Sequence, residues 1–109
     1  MMLVKQVGPT TCGQACLAMI HGIPLDESIR HVGHAGEVSD IDMLILSGSD
    51  ANFEDGPPSP DIVAIQKHRD PNGDREHWTV SFRGALLDPA EIGEKLWPVY
   101  KHFAVDWMC

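Results

Sequence analysis

The chain has 109 residues, with 8 basic and 16 acidic side chains and a formal charge of −8. A chain of this length buries roughly two thirds of the surface that its unfolded form exposes, so we expect a single domain that needs neither disulfides nor a metal to fold. The acidic balance argues against nucleic acid as a partner, because proteins that bind it gather Lys and Arg on one face.

The first predicted element is a buried helix over Thr11 to His21. Apolar residues recur there at spacings of three and four, and Gly22 is a suitable residue to end the helix. Thr10 or Thr11 can cap its first turn. This helix is the most clearly marked element of the sequence.

Two shorter helices follow, and then a loop. Asp26 is the expected cap of a helix that ends near Val32, and Ser39, followed by Asp42, begins a third helix around residues 41–46. From Ser47 to Pro60 the chain is rich in Gly, Pro, Ser and Asp, which predicts an exposed crossover loop with no regular element.

The second half is predicted to be mainly β-structure. Residues 62–68 and 78–82 are rich in β-forming side chains, and Asn72-Gly73 between them is typical of a hairpin turn with positive φ angles. Gly84 turns the chain into a short strand at 85–87.

The last predicted helix begins at Asp88-Pro89, with Asp88 as its cap, and runs to about Leu96. The aromatic tail that follows is expected to pack on the sheet. The sequence thus predicts a single α+β domain, 1–109, with N-terminal helices packed on a small antiparallel sheet. Its parts are a helical part (1–47), a crossover loop (48–60), and a strand part with a C-terminal helix (61–109).

The number of cysteines and the N-terminal sequence bear on the cellular compartment of the protein. Three cysteines cannot all pair within one chain, which favours a reducing environment. No basic segment leads into an apolar run near Met1, and no stretch approaches the roughly 18 apolar residues of a membrane span. We therefore expect a soluble, cytoplasmic protein without a membrane partner.

Acidic residues cluster at Asp50 to Asp61 and at Asp70 to Glu76. Solvated loops are the simpler interpretation of these clusters, and a preference for a basic peptide substrate is the alternative.

Cys12 is the candidate nucleophile, because the unpaired amides at a helix start and the helix dipole favour thiolate over thiol. Gln6 precedes it across the Gly8-Pro9 turn, where its side-chain amide can serve as a second oxyanion donor. Cys16 lies one turn deeper on the same face and is expected to be core, with redox control of Cys12 through a disulfide as the alternative.

A thiol nucleophile needs a base and a group that orients the base. His77 is the best-placed histidine, since it stands directly before the strand at 78–82. Asp88 follows one antiparallel turn later, so its carboxylate is expected to lie beside the His77 imidazole.

These residues resemble those of the cysteine peptidases that remove double-glycine leaders from bacteriocins, and of related small papain-like domains. The resemblance rests on Gln6 with the block Cys12 to Ile20, on His77-Trp78-Thr79-Val80, and on Asp88-Pro89-Ala90. It implies a papain-like fold and hydrolysis of a peptide or isopeptide bond with glycine near the scissile bond. In that mechanism Gln6 is the oxyanion donor, Cys12 the nucleophile, His77 the base and acid, and Asp88 the orienting carboxylate, with no cofactor and no metal.

Other interpretations stay open. A catalytically inactive peptidase-like module that binds a peptide or partner protein is favoured by the small size and by Thr11, where the family commonly has aspartate. Another interpretation is a structural subunit that oligomerises through the aromatic tail. Cys12, Cys16, His31 and His34 also have a spacing not far from that of a zinc finger, but both cysteines fall within an apolar helix.

Overall fold

The computed structural model of the protein describes residues 1–93 and 96–107, and within them three helices are followed by five strands. The helices are α1 Cys12–His21, α2 Leu25–Val32 and α3 Asp40–Ser47; the strands are β1 Glu54–Asp55, β2 Val63–Arg69, β3 Glu76–Phe82, β4 Ala85–Leu87 and β5 Val99–Ala104. The strands form one antiparallel sheet in the order β1-β5-β2-β3-β4. Helices packed on an antiparallel sheet confirm the predicted α+β class.

Helix α1 is the central element of the helical layer. Every residue from Cys12 to Ile20 is buried, as expected for a helix whose apolar residues contact both the sheet and the other helices. Gly22 ends it in the left-handed conformation at φ 66°, and its N–H donates to the carbonyl of Ala18. The prediction of this helix is confirmed, but its cap is not, because the Thr11 side chain makes no capping hydrogen bond.

The two shorter helices are also confirmed, with one correction. α2 begins after Pro24, so the expected cap, Asp26, lies within its first turn. There its negative charge faces the positive end of the helix dipole. At α3 the predicted cap is present, since Ser39 Oγ accepts a hydrogen bond from the Asp42 N–H at 3.2 Å.

The prediction of a crossover loop without a regular element is wrong at one point. Residues Glu54 and Asp55 form β1, paired with His102 and Lys101 of β5. Both strand residues are exposed, so no alternation of apolar and polar side chains marks them in the sequence.

The hairpin of β2 and β3 is present, but its predicted turn chemistry is wrong. Neither Asn72 nor Gly73 has a positive φ. A six-residue loop joins the strands instead, and in it the Asp70 N–H donates to the Arg75 carbonyl at 3.0 Å. Positive φ angles occur at Arg83 (50°) and Gly84 (90°), which form the two-residue turn between β3 and β4.

The predicted helix from Asp88 to about Leu96 does not form over its first residues. Residues 88–92 make a turn in which Asp88 accepts hydrogen bonds from two following amides, and Glu91 has a φ of 52°, which a helix cannot accommodate. Residues 94 and 95 of the predicted helix lie outside the described residues.

The aromatic tail enters the sheet rather than packing on it. β5 lies between β1 and β2, with Phe103 fully buried, and Trp107 then packs edge to face on Phe82 with ring centroids 4.8 Å apart. Among the described residues, no helix has the length and apolar character needed to cross a membrane.

Candidate active site

His77 and Asp88 form a buried pair at one end of the sheet. His77 is the second residue of β3, and the tight turn after β3 returns the chain along β4, so that Asp88 emerges beside His77. His77 Nε2 lies 2.6 Å from Asp88 Oδ1, and both side chains are less than 10 % exposed, at 7 % and 6 %. The sequence-based expectation that these two side chains lie together agrees with this geometry.

Asp88 is held by the turn that replaces the predicted helix. Its Oδ1 accepts from the Ala90 N–H and its Oδ2 from the Ile92 N–H, both at 2.9 Å. Burial acts to raise the pKa of Asp88, but the hydrogen bonds from His77 and from these two amides outweigh it and lower the pKa. Asp88 therefore remains a carboxylate that faces His77.

His77 also interacts with Cys12. Burial acts to lower the pKa of His77, but its interactions with Cys12 and with Asp88 outweigh burial and raise the pKa. Since Asp88 occupies Nε2, the nitrogen that remains for Cys12 is Nδ1. Cys12 is the first residue of α1 and is 8 % exposed.

Gln6 is tied to the same region through its main chain. Its N–H donates to the carbonyl of Pro89 at 3.0 Å, directly after Asp88 in the sequence. Its side-chain Nε2 donates one hydrogen bond to the Gly8 carbonyl at 2.8 Å, while Oε1 is buried without a hydrogen-bond partner among the described residues. The amide orientation is set by this contact, because the opposite orientation would bring two oxygens together.

A cleft runs past these side chains in two adjoining parts. A small part of about 80 Å³ is lined by Cys12 and Trp78, and a wider part of about 330 Å³ by Gln6 and His77. Both parts are bordered by the same four residues, Pro9, Thr10, Glu37 and Glu76. The walls come from both the helical and the strand halves of the chain.

A second histidine supports this end of the sheet. His68 is the cross-strand partner of His77, with ring centroids 6.3 Å apart. Its Nδ1–H donates to the Trp97 carbonyl at 2.7 Å, and its Nε2 lies 2.7 Å from Thr79 Oγ1. Burial lowers the pKa of His68, against the effect of the Trp97 carbonyl, whereas the pKa of His77 is raised.

Cys16 lies in the core beneath Cys12. It is fully buried, and its pKa is raised by burial and by the neighbouring Cys12 and Asp88, which keeps it a thiol.

The alternative zinc site finds no support in the geometry: across residues 1–93 and 96–107, no three His, Cys, Asp or Glu side chains cluster so as to hold a metal ion. His31 is exposed on α2, and His34 Nδ1 accepts a hydrogen bond from the Gly36 N–H.

Gln14 has no predicted role in the site. It is fully buried in α1, and its Nε2 donates to the carbonyls of His34 (2.9 Å) and Gly36 (2.7 Å), which lead into the cleft wall at Glu37. The sequence feature that could have pointed to Gln14 is a single amide side chain within an apolar helix. For His68, the sequence offers only its position beside a turn.

The structure thus brings Cys12, His77 and Asp88 together and places Gln6 on the same cleft. Compared with known proteins, the sequence matches no protein-family model and gives no significant match to a curated protein.

Proposed function

We propose that this protein is a cysteine peptidase-like hydrolase with a papain-like fold, which cleaves a peptide or isopeptide bond. The observation that carries the proposal is the buried His77–Asp88 pair at 2.6 Å, with Cys12 close enough to raise the pKa of His77. A nucleophile, a base and a group that orients the base are the parts that thiol-mediated acyl transfer requires.

In the first half of the reaction, the Cys12 thiol gives its proton to His77 as the sulfur attacks the substrate carbonyl carbon and forms a C–S bond. The carbonyl oxygen becomes an oxyanion. It is stabilised by the second N–H of the Gln6 side chain and by the backbone N–H of Cys12, which belongs to the first helical turn and has no acceptor within the helix. His77 gives its proton to the leaving amine as the C–N bond breaks. A thioester on Cys12 and a free amine result.

In the second half, water attacks the thioester carbonyl and His77 accepts its proton. The C–S bond breaks, the carboxylic acid is released, and the Cys12 sulfur takes a proton back from His77. Asp88 stays ionised throughout, because three hydrogen bonds stabilise its carboxylate. It orients His77 and stabilises the imidazolium by its charge.

In this proposal, each of the two parts of the cleft receives one half of the substrate. His77 must reach the leaving amine, so the part of about 330 Å³ beside His77 receives the leaving group. The part of about 80 Å³ beside Cys12 receives the acyl group. This small volume accords with the small acyl residue, glycine, that the family resemblance implies. The substrate is a peptide or protein, and the proposed location is the cytoplasm.

Thiol labelling tests the proposal. We expect iodoacetamide to label Cys12 selectively near neutral pH, and His77→Ala to abolish this selectivity while Cys12→Ala removes the label. Equal, slow labelling of all three cysteines would contradict the enzyme and favour the alternative, a catalytically inactive module that binds a peptide or partner protein. His31→Ala is the matched control, since His31 is an exposed histidine outside the cleft.

A further inference from the structure

The Thr11 hydroxyl makes two hydrogen bonds to a single residue. Thr11 Oγ1 accepts from the Val7 N–H at 2.8 Å and donates to the Val7 carbonyl at 2.7 Å. Thr11 is 3 % exposed, so water does not readily replace these contacts. One side chain therefore closes the short loop of residues 7–11.

This loop joins two of the candidate site residues. Val7 follows Gln6 in the sequence, and Thr11 precedes Cys12. Within the loop, Gly8 turns the chain at a φ of 73° and its carbonyl accepts the Gln6 side-chain N–H. The distance between the Gln6 amide and the Cys12 sulfur thus depends on the geometry that the Thr11 hydroxyl holds.

We propose that Thr11 is a positioning residue that sets the oxyanion donor Gln6 against Cys12. This inference rests on the proposed function, in which Gln6 stabilises the oxyanion. Thr11 does not act as a helix cap, because its side chain makes no capping bond to α1. Its loss therefore disturbs the loop that carries Gln6 without removing a cap from the helix that carries Cys12.

The chemistry of the contact requires a hydroxyl. A hydroxyl donates and accepts at once, whereas a valine of nearly the same shape does neither and leaves the Val7 N–H and carbonyl unpaired. An ionised aspartate accepts from the N–H but cannot donate to the carbonyl. Serine keeps both hydrogen bonds, so Thr11→Ser is the conservative variant.

The test compares two reactions of Cys12. Alkylation by iodoacetamide forms a C–S bond and expels iodide, with no oxyanion, whereas acylation by a p-nitrophenyl ester passes through an oxyanion and releases p-nitrophenolate. We expect Thr11→Val to slow acylation about tenfold to hundredfold and to leave alkylation within about twofold, because only acylation uses the oxyanion donors. Thr11→Ser restores acylation, and Thr11→Val adds no further loss to Gln6→Ala.

Two results would overturn the inference. One is an equal fall of both reactions in Thr11→Val, which would mean a general structural role; the other is unchanged acylation. If the wild-type protein were not acylated at all, the proposed function would fail, and hydrogen exchange at the Val7 amide would still test the contact. Thr11→Val is then expected to speed that exchange at least about tenfold relative to Thr11→Ser, since the amide loses its acceptor, and equal exchange in the two variants would contradict the inference.

Discussion

Replacing Asp88 by asparagine removes a charge and keeps the shape of the side chain. The carboxylate accepts three hydrogen bonds, two at Oδ1 from His77 and Ala90 and one at Oδ2 from Ile92. An asparagine oxygen at the Oδ1 position keeps the first two, but its NH₂ group then faces the Ile92 N–H, donor against donor. Asp88→Asn therefore loses one hydrogen bond and weakens two.

The expected cost follows from this count. Hydrogen bonds to a charged group contribute about 1.5–3 kcal/mol each, and neutral ones about 0.5–1.5 kcal/mol. One lost and two weakened bonds give an expected loss of about 2–4 kcal/mol in the free energy of unfolding at pH 7. Without its carboxylate partner, the pKa of His77 falls, and labelling of Cys12 near neutral pH slows about tenfold or more.

Urea unfolding measures the stability, and NMR titration of the His77 ring measures its pKa. The matched control is Asp50→Asn, an exposed carboxylate outside the cleft, for which a change within about 0.5 kcal/mol is expected. If Asp88→Asn behaved like this control in both measurements, the proposed coupling of Asp88 to His77 would be refuted.

Three further predictions concern the surroundings of the site. The raised pKa of His77 gives a stabilising contribution that is present below its unfolded value of about 6.5 and is lost as the pH rises through the folded value. The free energies of unfolding of the wild type and of His77→Gln should therefore converge as the pH rises, whereas a constant difference between them would refute the ion pair. His68, whose lowered pKa makes stability rise with pH, is present in both proteins, so its contribution cancels in this comparison. Gln14→Leu leaves two carbonyls without a donor and should cost about 2–4 kcal/mol by urea unfolding, while a cost below about 1 kcal/mol would mean that other groups pair them. Cys16 should be alkylated only after unfolding, as shown by mass spectrometry with and without urea, and its labelling in the native protein would contradict its burial.

The helical half was predictable because its signals are local. The apolar spacing and Gly22 define α1, and Ser39 caps α3 through a hydrogen bond three residues away. The crossover loop was predicted wrongly because a partner distant in sequence decides its structure. β1 exists only because β5 pairs with it, and β5 itself enters the sheet from the far end of the chain.

The candidate site shows the same division. The closeness of His77 and Asp88 was predictable, because one tight turn joins the two neighbouring strands that carry the chain from one residue to the other. Asp88 was expected to cap a helix, yet its carboxylate binds two turn amides instead, because Glu91 takes a positive φ. The hydrogen bonds of Gln14 and of the Thr11 hydroxyl depend on tertiary contacts or on loop geometry, which residue types alone do not specify.

The most direct test of the proposed catalytic centre is a burst measurement with a p-nitrophenyl ester of an N-acylated glycine. We predict one equivalent of p-nitrophenolate per protein in a rapid first phase, with the acyl mass found on Cys12 and the phase lost in His77→Ala. The absence of a burst, or an acyl group spread over other residues, would contradict the assignment of Cys12, His77 and Asp88 as an acyl-transfer centre.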